Sequence, residues 1–348
     1  MKGITRKLLG AAAIIAVAGC GTSNVQRELA RTDPITERQT TYRPMTKLPT
    51  TMPITAGANA SAKASSGMKM ASVSPQSNFV VGRIEQYTNA SLTDGSKYSG
   101  FAIIIDQSGS WRPHGRGKVE YTDGAVYEGL WRDGIRAGKG VYKWPNGNKY
   151  EGEFANNVMN GAGTFTFKDG MVYHGQFKDD VANGVGTFKW PNGDETGGTI
   201  ANWALEGAGY TRFADSRIYR GDFRKGNWNG RGVLMFANGH VYEGEFLDGK
   251  LQGKCTYYFD NGMVYVGDFT ANGREGRGRQ TYIDGSVYEG EWKNDRRHGQ
   301  GKHTYPDGRV EQGQWIEDRF QGGGGIDREP VRRDEPTKPK PKKDWTFN

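Results

Sequence analysis

Residues 150–172 read YEGEFANNVMNGAGTFTFKDGMV, and Tyr173 begins the same phrase again. Tyr150, Gly152 and Phe154 alternate with Glu151 and Glu153, the period of a strand with one apolar and one polar face. Gly161-x-Gly163 follows, then Phe165 and Phe167, again two apart. Asp169-Gly170 comes next, a pair that supplies the positive φ angles of a hairpin connection or of its bulge. The stretch reads as one β-hairpin.

Sliding the chain on itself by 23 residues puts glycine at 129, 152, 175, 198, 221, 244, 267, 290 and 313. Tyrosine precedes that glycine by two positions at Tyr127, Tyr150, Tyr173, Tyr219, Tyr242, Tyr265 and Tyr288, while Thr196 and Glu311 depart from the rule. Two positions after it stand Trp131, Phe154, Phe177, Ile200, Phe223, Phe246, Phe269, Trp292 and Trp315. Gly-x-Gly recurs from Gly115 and Gly117 to Gly299 and Gly301, broken only by Cys255. A second aromatic follows in every unit, from Tyr121 to Tyr305, and then an Asp/Asn-Gly pair whose one variant is Asp215-Ser216. Repetition at such a period marks a stacked array rather than a globule.

Glycine inside a strand is destabilising, so its return at fixed inward positions demands a compensating gain. Rings lying over the bare backbone provide one. Gly138, Gly140, Tyr142 and Trp144 are accordingly expected on one face, with rings stacked on glycines. The expected fold is all-β, an extended single sheet of tandem antiparallel β-hairpins, twisted into a trough about 75–80 Å long.

The pattern Tyr-Glu-Gly-Glu-Phe, Asn-Gly-x-Gly, aromatic, Asp/Asn-Gly resembles the MORN (membrane occupation and recognition nexus) repeat, over residues 115–320. The resemblance implies a non-catalytic scaffold for protein or membrane-adjacent contacts, and lipid binding is attributed to the family. Tyr127, Gly129, Trp131, Tyr150, Gly152, Tyr173, Gly175, Tyr219, Gly221, Tyr242, Gly244, Tyr265, Gly267, Tyr288 and Gly290 are its structural repeat positions. Upstream, Asp94-Gly95 and Tyr98-x-Gly100 make a further copy, but 29 residues separate Tyr98 from Tyr127. An inserted turn near Ser108-Gly109 accounts for the excess, and residues 79–114 read as a degenerate capping repeat.

The ends of the chain differ in kind. Lys2, Arg6 and Lys7 precede a short apolar run, Leu8 to Ala18, and residues 1–19 read as a secretory signal too short to span a bilayer. Val17-Ala18-Gly19-Cys20 resembles a bacterial lipobox, which implies cleavage before Cys20, acylation including palmitate at that residue, and attachment of the chain to the cell envelope. With Gly21 next, a Gram-negative host would send it to the outer membrane. Residues 20–78, rich in Thr, Ser, Ala and Pro, read as a lipid-anchored disordered linker, and residues 321–348, with Pro336 to Lys343, as a disordered basic tail.

Chemistry is harder to find. The 348 residues carry 53 glycines, only 35% hydrophobic residues and a formal charge of +8, too dispersed to mark a nucleic-acid surface. His114 and His298 share one repeat slot while His174, His240 and His303 fall in three others, so no metal or catalytic constellation emerges. Glu151, Glu153, Glu243, Glu245, Glu289 and Glu291 recur on one face and are expected to pair with neighbouring cations on a solvated surface. The glycines at 322–325 lack the Lys-Ser/Thr of a phosphate loop, and Cys255 reads as a tolerated glycine replacement. No enzyme and no cofactor are expected. The partners anticipated are the membrane through lipidated Cys20, envelope proteins, and glycan or lipid headgroups. The alternative function, a glycan- or peptidoglycan-binding module, requires exposed rings such as Trp144 and Trp190.

Overall fold

The computed structural model describes residues 80–322; the expectations for the signal, Cys20, the linker and the basic tail beyond Gly322 lie outside the described residues. The fold is all-β. Its strands begin β1 (Ile84–Ser91), β2 (Lys97–Ile104), β3 (Trp111–Glu120), β4 (Val126–Arg132), β5 (Ile135–Lys143), β6 (Lys149–Ala155), and continue in the same rhythm through β10 (Glu195–Ala201) and β11 (Ala204–Arg212) to β20 (Val310–Ile316) and β21 (Arg319–Phe320). Each pairs antiparallel with its neighbours in the chain, giving one open meander of 21 strands.

Two kinds of turn alternate along the sheet. The Asp/Asn-Gly pair lies in the wider one: Gly147 N donates to Trp144 O at 3.0 Å, Trp144 N to Asn148 O at 3.0 Å, and Gly147 takes φ 91° as the bulge residue. The turn aspartate or asparagine accepts from the backbone two residues on, as Asn146 Oδ1 does from Asn148 N at 3.0 Å. The opposite end of each hairpin closes with only two residues, both at positive φ, as at Asp133-Gly134, Asn156-Asn157 and Asp179-Asp180. That is the geometry of a type I′ turn, matched to the twist of the strands. The insertion near Ser108-Gly109 replaces one such turn, and there Asp106 Oδ1 accepts from Ser108 N and Ser110 N at 2.9 and 3.1 Å.

Between the two turns each hairpin carries a bulge. Gly129 faces Gly140 but Trp131 faces Arg136, so β5 spends four residues where β4 spends two. The first glycine of each Gly-x-Gly sits in this bulge at positive φ, 80° at Gly138 and 103° at Gly161. Here the expectation needs correction. A Cβ on Gly138 would meet the Leu130 side chain at 3.0 Å, and one on Gly161 the Glu153 carboxylate, so these glycines serve the backbone and not the ring layer.

The ring layer rests on the other two glycines. A Cβ on Gly140 would lie 2.6 Å from Tyr127 Cε2 and one on Gly129 2.5 Å from Tyr127 Oη, so a single ring covers both. The bulge leaves the Leu130 carbonyl without a counterpart, and Tyr127 Oη donates to it at 2.8 Å. The same bond recurs from Tyr150 to Glu153 O (2.9 Å), Tyr173 to Gln176 O (3.0 Å), Tyr219 to Asp222 O (3.0 Å), Tyr242 to Glu245 O (3.0 Å), Tyr265 to Asp268 O (3.1 Å) and Tyr288 to Glu291 O (3.0 Å). Tyrosine is therefore favoured over phenylalanine in this slot, because phenylalanine would cover the glycines but leave the carbonyl unpaired.

Six of these seven tyrosines are also wedged edge-on between two rings, Tyr173 being the exception because Ile200 stands in the next unit. Tyr127 meets Trp131 at 5.0 Å and Phe154 of the next unit at 5.1 Å; Tyr150 meets Phe154 at 5.1 Å and Phe177 at 4.9 Å. Contacts of this kind contribute about 0.5–1.5 kcal/mol beyond area burial, and here they run from unit to unit. The column is interrupted at Thr196 and ends at Tyr288, since Glu311 takes the slot in the last unit. Thr196 replaces the tyrosine, its Oγ1 lies 3.1 Å from Thr211 Oγ1, and the Leu205 side chain stands over Gly209 instead.

Candidate functional site

The sheet has two faces, and they are occupied differently. On the inner face Tyr127, Tyr150, Tyr173, Tyr219, Tyr242, Tyr265 and Tyr288 all have 0% exposure, and Trp131 has 3%. Burial raises the phenol of Tyr173 to about 12 and moves the others in the same direction. Gly129, Gly152, Gly175, Gly221, Gly244, Gly267 and Gly290 lie beneath those rings. The positions singled out in the sequence thus come together as core, committed to holding one hairpin on the next.

Sequence reasoning missed the clamp between units. Arg136 N donates to Asn157 Oδ1 at 2.8 Å while Asn157 N donates to Arg136 O at 3.2 Å. Met159 and Asp180, Leu251 and Asn272, Arg274 and Asp295, and Arg297 and Asp318 repeat the exchange. An Asn or Asp at the second position of the tight turn serves twice, accepting positive φ and reaching back to the preceding unit. The signal was hidden because the turn pair varies from Asp-Gly to Ala-Asn to Glu-Asp.

Three arginines occupy inward positions of that clamp. Arg274 is 1% exposed, its guanidinium 4.2 Å from the Trp292 ring centroid, with Nη2 donating to Asp295 O at 2.5 Å. Arg297 lies 4.4 Å from the Trp315 ring and donates to Asp318 Oδ1 at 3.2 Å. Arg136 sits among Tyr127, Tyr142 and Phe154. Their column also holds Met159, Leu205, Trp228 and Leu251, which is the clue in the sequence that they point inward.

The outer face is polar and largely satisfied by its own cross-strand pairs. Across strands, Lys254 Nζ lies 2.6 Å from Asp268 Oδ1 and Arg279 Nε 2.9 Å from Glu289 Oε1; along β6, Lys149 Nζ lies 2.8 Å from Glu151 Oε2. Asp222 and Asp268 accept from the bulge amides of Arg231 and Arg277 at 3.2 and 3.1 Å, which explains a carboxylate beside the inward aromatic. The histidines are used locally. His114 Nδ1 is 3.2 Å from Asp133 Oδ1, His174 Nδ1 is 2.9 Å from Thr164 Oγ1, and His240 bridges Tyr257 Oη and Asp260 Oδ1 at 2.9 and 3.1 Å. Cys255 is buried against Tyr242, and burial pushes its thiol well up, away from a reactive thiolate.

The family model for the MORN repeat matches residues 112–126, 127–149, 150–172, 173–195, 219–241, 242–264, 265–287 and 288–308, and the chain belongs to the MORN-repeat family. The unmatched residues 196–218 are the unit in which Thr196 breaks the tyrosine column. No curated protein matches the sequence. Among solved structures, the TCP domain of Drosophila melanogaster SAS-4 (dCPAP), in complex with a proline-rich motif of Ana2 (dSTIL), aligns over 45% of this chain and 85% of its own at 14% identity and a TM-score of 0.30. The TCP10 domain of Danio rerio CPAP, in complex with a peptide of Danio rerio STIL, aligns over 61% of this chain and 92% of its own at 19% identity and a TM-score of 0.24. Neither superposition is close enough to bear on function.

Proposed function

We propose that this MORN-repeat chain is a non-catalytic scaffold of the bacterial cell envelope, held to a membrane by lipidated Cys20 and offering its sheet to other envelope proteins. The observation that carries the reading is the allocation of side chains: tyrosines, glycines and buried arginines are spent on unit-to-unit packing, and an ion-paired face remains as working surface. A sheet built this way presents area rather than a pocket. The Val17-Ala18-Gly19-Cys20 segment supports the anchor, since acyl chains at one residue would hold the whole array at a bilayer.

Glycan binding by stacked rings is less well supported. Among the described aromatic residues Phe101 is exposed, at 43%, whereas Trp144 and Trp190 are half-buried.

The reading is tested in cells. Cys20→Ala should move the protein from the membrane to the soluble fraction, and retention at the membrane would refute the anchor. Crosslinking of the intact protein should capture the same envelope proteins in wild type and fewer in a chain whose Lys254, Arg277 and Arg279 are reversed to Glu. An unchanged set would refute the working face.

A further inference from the structure

The two ends of the sheet are built differently. At the carboxyl end β21 is two residues long, Arg319–Phe320, pairs with Trp315 and Ile316 alone of β20, and is preceded by Glu317 and Asp318. A short, charged final edge is how natural sheets avoid pairing with one another. At the amino end β1 runs for eight residues, and among the described residues no strand pairs with its outer side. Val80, Val81, Ile84 and Phe101, exposed by 59, 54, 53 and 43%, gather at this end. A terminal repeat that only capped the array would turn a polar surface outward, and this one does not.

The backbone of β1 is also poised for a partner. Ile104 N donates to Arg83 O at 3.0 Å, and Ile84 stands opposite Ile103. In an antiparallel ladder the residue next to a hydrogen-bonded one turns its N–H and C=O the other way, so Ile84 and Gln86 direct theirs to the open side.

We propose that β1 pairs with β1 of a second copy of this chain, antiparallel about a two-fold axis at Ile84, to make a closed end-to-end dimer. In that register Arg83 of each copy stands opposite Glu85 of the other, at non-hydrogen-bonded positions where side chains approach most closely. Ile84 meets its own symmetry mate, and on the other face of β1 the half-buried Tyr87, the first ring of the inner column, stacks on Trp111 at 4.6 Å. No like charges are opposed. Two-fold closure follows from this self-complementary register, in which each copy presents the same residues to the other.

Sedimentation velocity of the full chain carrying Cys20→Ser, over a wide range of concentration, tests the dimer. A monomer–dimer equilibrium is expected, with Ile84→Lys raising the dissociation constant about tenfold or more at unchanged circular dichroism. Arg83→Glu and Glu85→Arg should each weaken the dimer, and the double exchange should restore it. A chain that stays monomeric, with its own residues before Val80 covering β1, would overturn the proposal. So would a dimer indifferent to Ile84→Lys, failure of the double exchange to rescue, or open-ended polymers.

Discussion

Trp203 stands where Ala182 leaves room for it. The indole is 8% exposed, lies 5.6 Å from the Tyr173 ring and 5.7 Å from Phe177, and its backbone N donates to Ala182 O at 3.1 Å. In the neighbouring clamps the inward residue is Arg136, Met159 or Leu205, and the turn residue paired with it is Asn157, Asp180 or Gly226. Here the bulk has changed sides. Trp203 accepts a φ of 66°, uncommon for a large side chain, in the unit that lacks its tyrosine.

Trp203→Asn should therefore destabilise the protein, because loss of a buried indole costs about 3 kcal/mol against about 1 kcal/mol of relieved backbone strain. Adding Ala182→Leu should recover part of the loss by restoring the arrangement of Leu251 and Asn272. Chemical denaturation of the single and double variants measures both effects; simple additivity would contradict the exchange of volume.

The two glycines of one Gly-x-Gly should respond differently. Gly163→Ala places a methyl 2.6 Å from Tyr150 Cζ, so the ring must leave its carbonyl, at about 3 kcal/mol. Gly161→Ala meets the Glu153 side chain, whose carboxylate can swing away while its Cβ stays 3.1 Å off, and bears the cost of positive φ, about 1 kcal/mol. Melting curves of the pair compare them, and equal losses would contradict the division of labour.

Ser216 occupies, at φ 71°, the bulge position that Gly147 and Gly170 fill in other units. Ser216→Gly should stabilise the protein by about 0.5–1 kcal/mol, measured as a rise in denaturation midpoint.

His303 is stacked on Tyr305 at 4.4 Å with Nδ1 facing Arg297 Nη1 at 3.2 Å. Burial, and then the Arg297 charge, lower its titration from 6.5 to about 4. The folded state thus resists protonation that the unfolded chain accepts, so this contribution is complete above about pH 6.5 and is lost as pH falls toward 4. His303→Gln should flatten the stability profile in that interval; an unchanged slope would place the histidine in contact with water.

The sequence alone determined that hairpins repeat every 23 residues and that the Tyr-x-Gly-x-aromatic side chains turn inward, because side-chain alternation and that spacing are local facts of a strand. It also located both departures, Thr196 and Glu311. Only the tertiary structure decided which glycine answers to a ring and which to a bulge, since Gly161 and Gly163 are equivalent by alternation until the register shifts between them. The same holds for the buried arginines and the Trp203–Ala182 exchange. These depend on residues 21 positions apart meeting across neighbouring units, where the space left by one side chain sets the size and charge allowed to another.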